Sequence, residues 1–526
     1  MSIRPHRTPS DVPVAIEPDR FRRLGHELVD AIADHIATLP SRPLTPGAAP
    51  DAVRALVGAM EPLPEQGSDA AELLRETARL LADNSLFNAH PRFFGYITAP
   101  PTPIGVLGDL LASAMNPNVG GWTLAPVATE IEAQAVRWMG QLIGFREGCA
   151  GLLVSGGNMA NFVGFLAARR AAAGEAVRQR GPEAARALRV YGSRETHTWI
   201  QKAADLFGLG TDAIRWIETD AQQRMNVSAL RSAIERDRAD GLVPMAVVAA
   251  AGTVSTGAVD PLREIAALCR EHEVWLHVDG AYGGFAAAAR DVVADGGPGS
   301  AEAAEELGAL ALADSVAVDP HKWLYAPLEA GCLLARDAQC LTDAFSYHPP
   351  YYHFGQEATN FVDLGPQNSR GFRALKVWLA LRQVGRAGYT RMIGDDVRLA
   401  RRLWDRVVEH PELEPFTQAL SITTFRYVPR ELQADAEQAH GADGSAVAAN
   451  GSAREPVDSP RERRIDELNR ELLDRLQKGG EAFVSNAVID GRYVLRACVV
   501  NFNTTDGDID ALPGIVTRVG REIFEG

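Results

Sequence analysis

Ala313-Asp314-Ser315-Val316-Ala317-Val318-Asp319-Pro320-His321-Lys322-Trp323-Leu324-Tyr325 reads as a strand running into a turn that carries chemistry. Ser315–Val318 is short and apolar, and Pro320 ends its ladder because proline has no N–H to donate. His321 and Lys322 therefore stand at a strand's carboxyl edge, where α/β folds assemble their sites. A charged lysine among apolar residues is costly to desolvate there. Condensation with an aldehyde, as a Schiff base, is one use that resolves this cost. A lone lysine after a turn is ordinarily a solvated surface residue, so the neighbouring strands have to decide.

Trp275-Leu276-His277-Val278-Asp279-Gly280-Ala281-Tyr282-Gly283 delivers Asp279 at a second strand end, followed by small residues that let a flat ligand approach. A carboxylate there can hold a pyridine nitrogen protonated and turn the ring into an electron sink; alone it reads equally as a helix cap. In Gly151-Leu152-Leu153-Val154-Ser155-Gly156-Gly157-Asn158 a strand turns into a helix whose first N–H groups can hold a phosphate, with Gly157 and Asn158 best placed. There is no GxxxxGK[ST] and no GxGxxG, which disfavours a nucleotide. His197, in Ser193-Arg194-Glu195-Thr196-His197-Thr198-Trp199, can lie on a heteroaromatic ring and relay a proton, or be a cap or packed residue. Thr253, just after the strand Met245–Ala251, offers a hydroxyl to a cofactor oxygen or to substrate. A phosphate holder, ring stacker, hydroxyl donor, pyridinium partner and imine-forming lysine together match pyridoxal 5′-phosphate.

The wider chain agrees with an α/β protein. Its 526 residues are 46% hydrophobic, 23% charged and 7% aromatic, enough for two or three domains without disulfides. The net charge of −15 gives no overall basic footprint for nucleic acid. No apolar run reaches the roughly 18–20 residues of a bilayer span, and the N-terminus lacks the apolar middle of a signal peptide. The five cysteines are scattered without a CxxC pair, which reads as reduced thiols in a cytoplasmic protein rather than bridges or a metal site.

Three regions follow. Residues 1–104 form a helical N-terminal segment, with an apolar stripe through Phe21, Leu24, Leu28, Ile32 and Ile36. Residues 105–390 alternate strands and helices as a large α/β domain with a mainly parallel sheet. Residues 391–526 read as a small α+β domain: helix Asp395–His410, strand Ile422–Tyr427, helix Ile465–Lys478 and strand Arg492–Val500. Within it, 433–463 has too little apolar content to bury and reads as a disordered surface insertion.

The chain resembles the group II pyridoxal-phosphate-dependent decarboxylases, the family of aromatic-L-amino-acid, glutamate, histidine and 2,4-diaminobutyrate decarboxylases. His90-Pro91-Arg92-Phe93-Phe94, His277-Val278-Asp279 with Tyr282, and Pro320-His321-Lys322-Trp323 carry the likeness, which extends to Leu495-Arg496-Ala497. The resemblance implies the aspartate aminotransferase-like transferase fold (fold type I) and a homodimer with sites formed between subunits. It implies Lys322 as the Schiff-base lysine, Asp279 as the pyridine-nitrogen partner, His197 on one ring face and Ala281 on the other. Gly157, Asn158 and His321 would surround the phosphate and Thr253 the ring oxygen. A lid tyrosine that protonates the product aligns with Tyr351, with Tyr352 or His353 as alternates across a gap, and Arg370 matches an arginine just after the lid.

Two departures stand out. Aromatic-acid enzymes often carry Asn-Pro-His-Lys, where this chain has Asp319. In the substrate stretch Tyr96 matches an aromatic pocket residue, but Ile97 and Thr98 replace Phe and Pro. The expected reaction is α-decarboxylation of an L-amino acid, aromatic by general likeness. Glutamate or diaminobutyrate decarboxylation, aldehyde-forming oxidative deamination and an inactive scaffold are the alternatives.

Overall fold

The computed structural model describes residues 12–297, 299–348, 358–433 and 456–526. Seven strands form the main sheet: β1 Ala150–Val154, β2 Leu188–Ser193, β3 Ile214–Ile217, β4 Val243–Ala250, β5 Trp275–Asp279, β6 Ser315–Val318 and β7 Gly331–Ala335. Their order is β1-β7-β6-β5-β4-β2-β3, with β7 antiparallel to both neighbours and the other pairs parallel. Six strands thus point one way. The strands are near-continuous apolar runs because helices cover both sheet faces, each face having its own buried cluster.

Parallel direction decides where the site lies. The carboxyl ends of β1, β2, β4, β5 and β6 open on one edge, where Asp279 ends β5 and Asp319 follows directly from β6. The antiparallel β7 begins at that same edge. Its Gly331 packs so close to Gly156 that an added Cβ would sit 2.5 Å from the Gly156 Cα. Gly156 itself takes φ 140°, a backbone that side-chain-bearing residues rarely adopt.

A second sheet, order β10-β11-β9-β8, is wholly antiparallel: β8 Leu413–Ala419, β9 Ile422–Tyr427, β10 Ser485–Ile489 and β11 Arg492–Cys498. It packs with helices Pro460–Gly479 and Asp506–Glu525 around Phe425, Leu472, Leu495 and Val516. The helix expected at Asp395–His410 is the second half of a longer element, Ala374–Glu409, broken only at Gly385 with φ 68°. Strands β3, β8 and β10 escaped the sequence reading. β3 has four residues, and β8 and β10 mix polar with apolar positions, so neither gives a continuous apolar run.

The insertion expected at 433–463 is contradicted at its far end. Residues 434–455 lie outside the described residues, but helix Pro460–Gly479 begins inside the predicted stretch. Its Glu462 is buried against Arg426, 2.7 Å away, and Arg492, 3.0 Å away. Paired, that charge is part of the interior. Helices Pro18–Thr38 and Ala70–Asn84 leave Phe21, Leu73 and Leu81 more than half exposed. Among the described residues no helix is long and apolar enough to cross a membrane.

Candidate active site

The turn after β6 places Asp319, His321 and Lys322 together because residues 320–323 form a single helical turn closed by the Lys322 N–H donating to the Asp319 carbonyl at 2.9 Å. Lys322 Nζ then lies 2.9 Å from Asp319 Oδ2. His321 Nε2 is 3.6 Å from the same oxygen, and Nδ1 lies 2.5 Å from the Ala330 carbonyl, which takes its proton. Burial pushes the His321 pKa below its ordinary value, against the opposing pull of Asp319, so the ring is neutral at pH 7.

Asp279, at the end of β5, is oriented by two donors. Trp199 Nε1–H donates to Oδ2 at 2.7 Å and the Ala281 N–H to Oδ1 at 3.1 Å. Trp199 is fully buried and meets His277 edge-on, ring centroids 5.7 Å apart. His277 is locked between Ser315 Oγ at 2.8 Å and Asn161 Oδ1 at 2.7 Å, and burial pushes its pKa down to about 4. This neutral chain, running from the first helix after β1 to β6, fixes the indole and through it the carboxylate. Sequence reasoning gave Trp199, His277, Asn161 and Ser315 no role. The available signal was that a buried indole N–H needs an acceptor, and a strand-end carboxylate is the natural one.

His197 follows β2 and its Nδ1 accepts the Trp199 N–H at 3.3 Å. Burial lowers its pKa, outweighing Asp279. Thr253 Oγ1 is 2.9 Å from Thr256 Oγ1 and accepts the Ala258 N–H at 3.2 Å, so it braces its own turn while lining the site. Glu195, also unassigned by sequence, lines the site with one oxygen bonded to Ser255 and Oε2 buried without a partner; burial raises its pKa.

These groups surround a cavity of about 350 Å³ whose walls include Gly157, Asn158, His197, Thr253, Asp279, Ala281, His321 and Lys322. The helix Gly157–Ala173 presents its first turn to it with no side chain capping that end. Tyr96, Ile97 and Thr98 are not among the lining residues: Tyr96 is 56% exposed, its ring 6.0 Å from that of Phe483. Tyr351, Tyr352 and His353 lie outside the described residues. Arg370 is buried away from the cavity, paired to Glu132 and donating to the carbonyls of Val119 at 2.9 Å and Leu153 at 2.7 Å.

The residues present fit pyridoxal phosphate. An uncapped helix start suits a phosphate, a fixed carboxylate suits a pyridine nitrogen, and a lysine opens onto a cavity of cofactor size. The fold and site define a pyridoxal-phosphate-dependent enzyme of fold type I. The chain belongs to the pyridoxal-dependent decarboxylase family, whose conserved-domain model matches residues 51–428. It is 33% identical over 492 residues to an aromatic-L-amino-acid decarboxylase of Bacillus atrophaeus, covering 93% of this chain and 92% of that one. The structure superposes on Oryza sativa TDC with PLP and tryptamine with a TM-score of 0.82 at 28% identity, covering 97% and 99% of the two chains. Mouse CSAD gives a TM-score of 0.85 at 27% identity, covering 96% and 99%. The chain is therefore a pyridoxal-phosphate-dependent amino acid decarboxylase.

Proposed function

We propose that this enzyme removes the α-carboxylate of an aromatic L-amino acid, releasing the amine and carbon dioxide. The observation that carries the reading is Lys322 facing the same cavity as an Asp279 fixed by two donors. The aromatic preference rests on the Bacillus relative and on the rice protein solved with tryptamine.

Pyridoxal phosphate, once bound, supplies the sink for the electron pair left by the departing carboxylate. Lys322, which opens onto the cavity, would hold the aldehyde end of that group. Asp279 would hold the pyridine nitrogen protonated, and His197 and Ala281 would flank the ring. Gly157, Asn158 and His321 would hold the phosphate, and Thr253 would offer its hydroxyl to the ring oxygen. Tyr351, by its place in the sequence, returns a proton to Cα, with Tyr352 and His353 as alternates.

We take 1–104, 105–390 and 391–526 as the working domains, and a cytoplasmic homodimer as the working form. Tyr96, Ile97 and Thr98 are then read as substrate-pocket residues. The exposed apolar residues of helices Pro18–Thr38 and Ala70–Asn84 support such a contact, and the five free cysteines suit a reducing compartment. The test is amine release from each common L-amino acid by the purified holoenzyme. Turnover of tyrosine, tryptophan or phenylalanine is expected to dominate. Preference for glutamate or diaminobutyrate, or aldehyde and peroxide in place of amine, would overturn the reading.

A further inference from the structure

We propose that Asp319 is a counter-anion built into the phosphate end of the cavity: it holds the Lys322 ammonium in the cofactor-free chain and opposes the incoming phosphate. The inference rests on the pyridoxal phosphate reading above.

The carboxylate sits where an external anion has to go. Its side chain is 2% exposed. A Cβ added to Gly157, the first residue of helix Gly157–Ala173, would lie 2.7 Å from Asp319 Oδ2, so the carboxylate packs against that helix start. No side chain caps the helix end, so Asp319 stands as a resident anion beside an open helix start. Oδ2 is taken by Lys322 at 2.9 Å, while Oδ1 has no hydrogen-bond partner among the described residues. The helix start thus already faces a buried carboxylate, one of whose oxygens is unpartnered.

The other titratable groups around it are few. His321 and Lys322 share its turn, His197 comes from after β2, Cys332 from β7, and Asp279 lines the same cavity. His321 and His197 are neutral through burial, and Lys376, which also acts on His321, is paired to Asp109 at 3.1 Å, so Lys322 is the cation that balances Asp319. Once Lys322 turned from Asp319 to an aldehyde, the carboxylate would lose its 2.9 Å ammonium contact as a phosphate dianion reached the same helix end. Two anions then share one helix start, and a bound proton relieves the clash. An asparagine of the same shape would keep the packing and offer an N–H instead.

The test compares pyridoxal phosphate with pyridoxal, its phosphate-free counterpart, binding to cofactor-free wild-type protein and Asp319→Asn. Any effect of the substitution on Lys322 is common to both aldehydes and cancels in the ratio of their Kd values. The ratio Kd(pyridoxal)/Kd(pyridoxal phosphate) is expected to rise at least ~10-fold in Asp319→Asn, the size of one pK unit of interaction. An unchanged or lower ratio would overturn the proposal. Should the variant not fold, calorimetry on wild type in two buffers of different ionisation enthalpy decides instead. Pyridoxal phosphate is expected to take up protons that pyridoxal does not, and equal uptake refutes the idea. Wild-type protein that binds no pyridoxal phosphate would sink the cofactor reading itself, and the proposal with it.

Discussion

Replacing Asp279 by asparagine alters charge and hydrogen bonding together, and the geometry separates the two. Oδ2 accepts from Trp199 Nε1 and Oδ1 from the Ala281 N–H. An asparagine has one accepting oxygen and one donating NH₂, so one of those two donors must face another donor. A buried donor left unsatisfied costs about 1–3 kcal/mol. Trp199 is fully buried and the Ala281 amide less so, so the side-chain oxygen turns to the indole and the cost settles near the lower figure, about 1 kcal/mol.

The effect on the reaction is larger and independent of that loss. An opposite charge within hydrogen-bond reach shifts a titrating group by about 1–3 pK units, and each unit is a factor of ten in the protonated fraction. Turnover should fall roughly 10- to 1000-fold once the pyridine nitrogen loses its carboxylate. The assay is kcat for amine release at saturating pyridoxal phosphate, with bound coenzyme read from its visible absorbance so that simple dissociation is not mistaken for a chemical defect. An Asp279→Asn enzyme that keeps its coenzyme and turns over within about threefold of wild type would refute the assignment. An unfolding midpoint unchanged in that variant would refute the two-donor account.

His197 is held neutral by burial, so its protonation comes below the ordinary 6.5, and activity should fall as pH drops through that lowered value. His197→Gln should be slower but lack that acidic limb in its kcat/KM profile. Arg370→Ala leaves Glu132 charged and fully buried without its partner, at a cost of about 3–5 kcal/mol, seen as a large drop in unfolding midpoint or loss of soluble protein. Replacing both Arg370 and Glu132 by methionine should recover part of that loss. Burial pushes Asp396 up to about 8 from 3.8, with Tyr325 Oη donating to it at 2.7 Å. The folded state therefore holds a proton that the unfolded chain gives up near pH 4, and stability falls as pH rises from there through 8. Asp396→Asn, which needs no proton, should raise the unfolding midpoint at pH 8 and change it little at pH 4.

The strands that build the site were legible because a parallel sheet buried on both faces demands unbroken apolar runs, and Ser315–Val318 matches β6 residue for residue. Lys322, Asp279, His197 and Gly157 reach one cavity because each follows such a run, and parallel strands open their carboxyl ends on one edge. Edge strand β3 and the mixed strands β8 and β10 lacked that pattern. The buried charges of Arg426, Glu462 and Arg492 were opaque for a different reason: a lone charged residue in sequence says nothing of a partner thirty or more residues away.

The layer behind the cavity was the least legible, and it is what gives the front layer its geometry. Trp199, His277, Asn161 and Ser315 come from four separate elements. Each is unremarkable in its own stretch, and only their convergence turns an indole toward Asp279. With both nitrogens of His277 engaged and its ring neutral, the indole has a fixed edge to rest on, and its N–H has one acceptor within reach. The carboxylate is thus held by neutral donors rather than by a cation. Its charge stays available to the coenzyme's nitrogen, whereas an arginine in the place of Trp199 would neutralise the charge that the reaction uses.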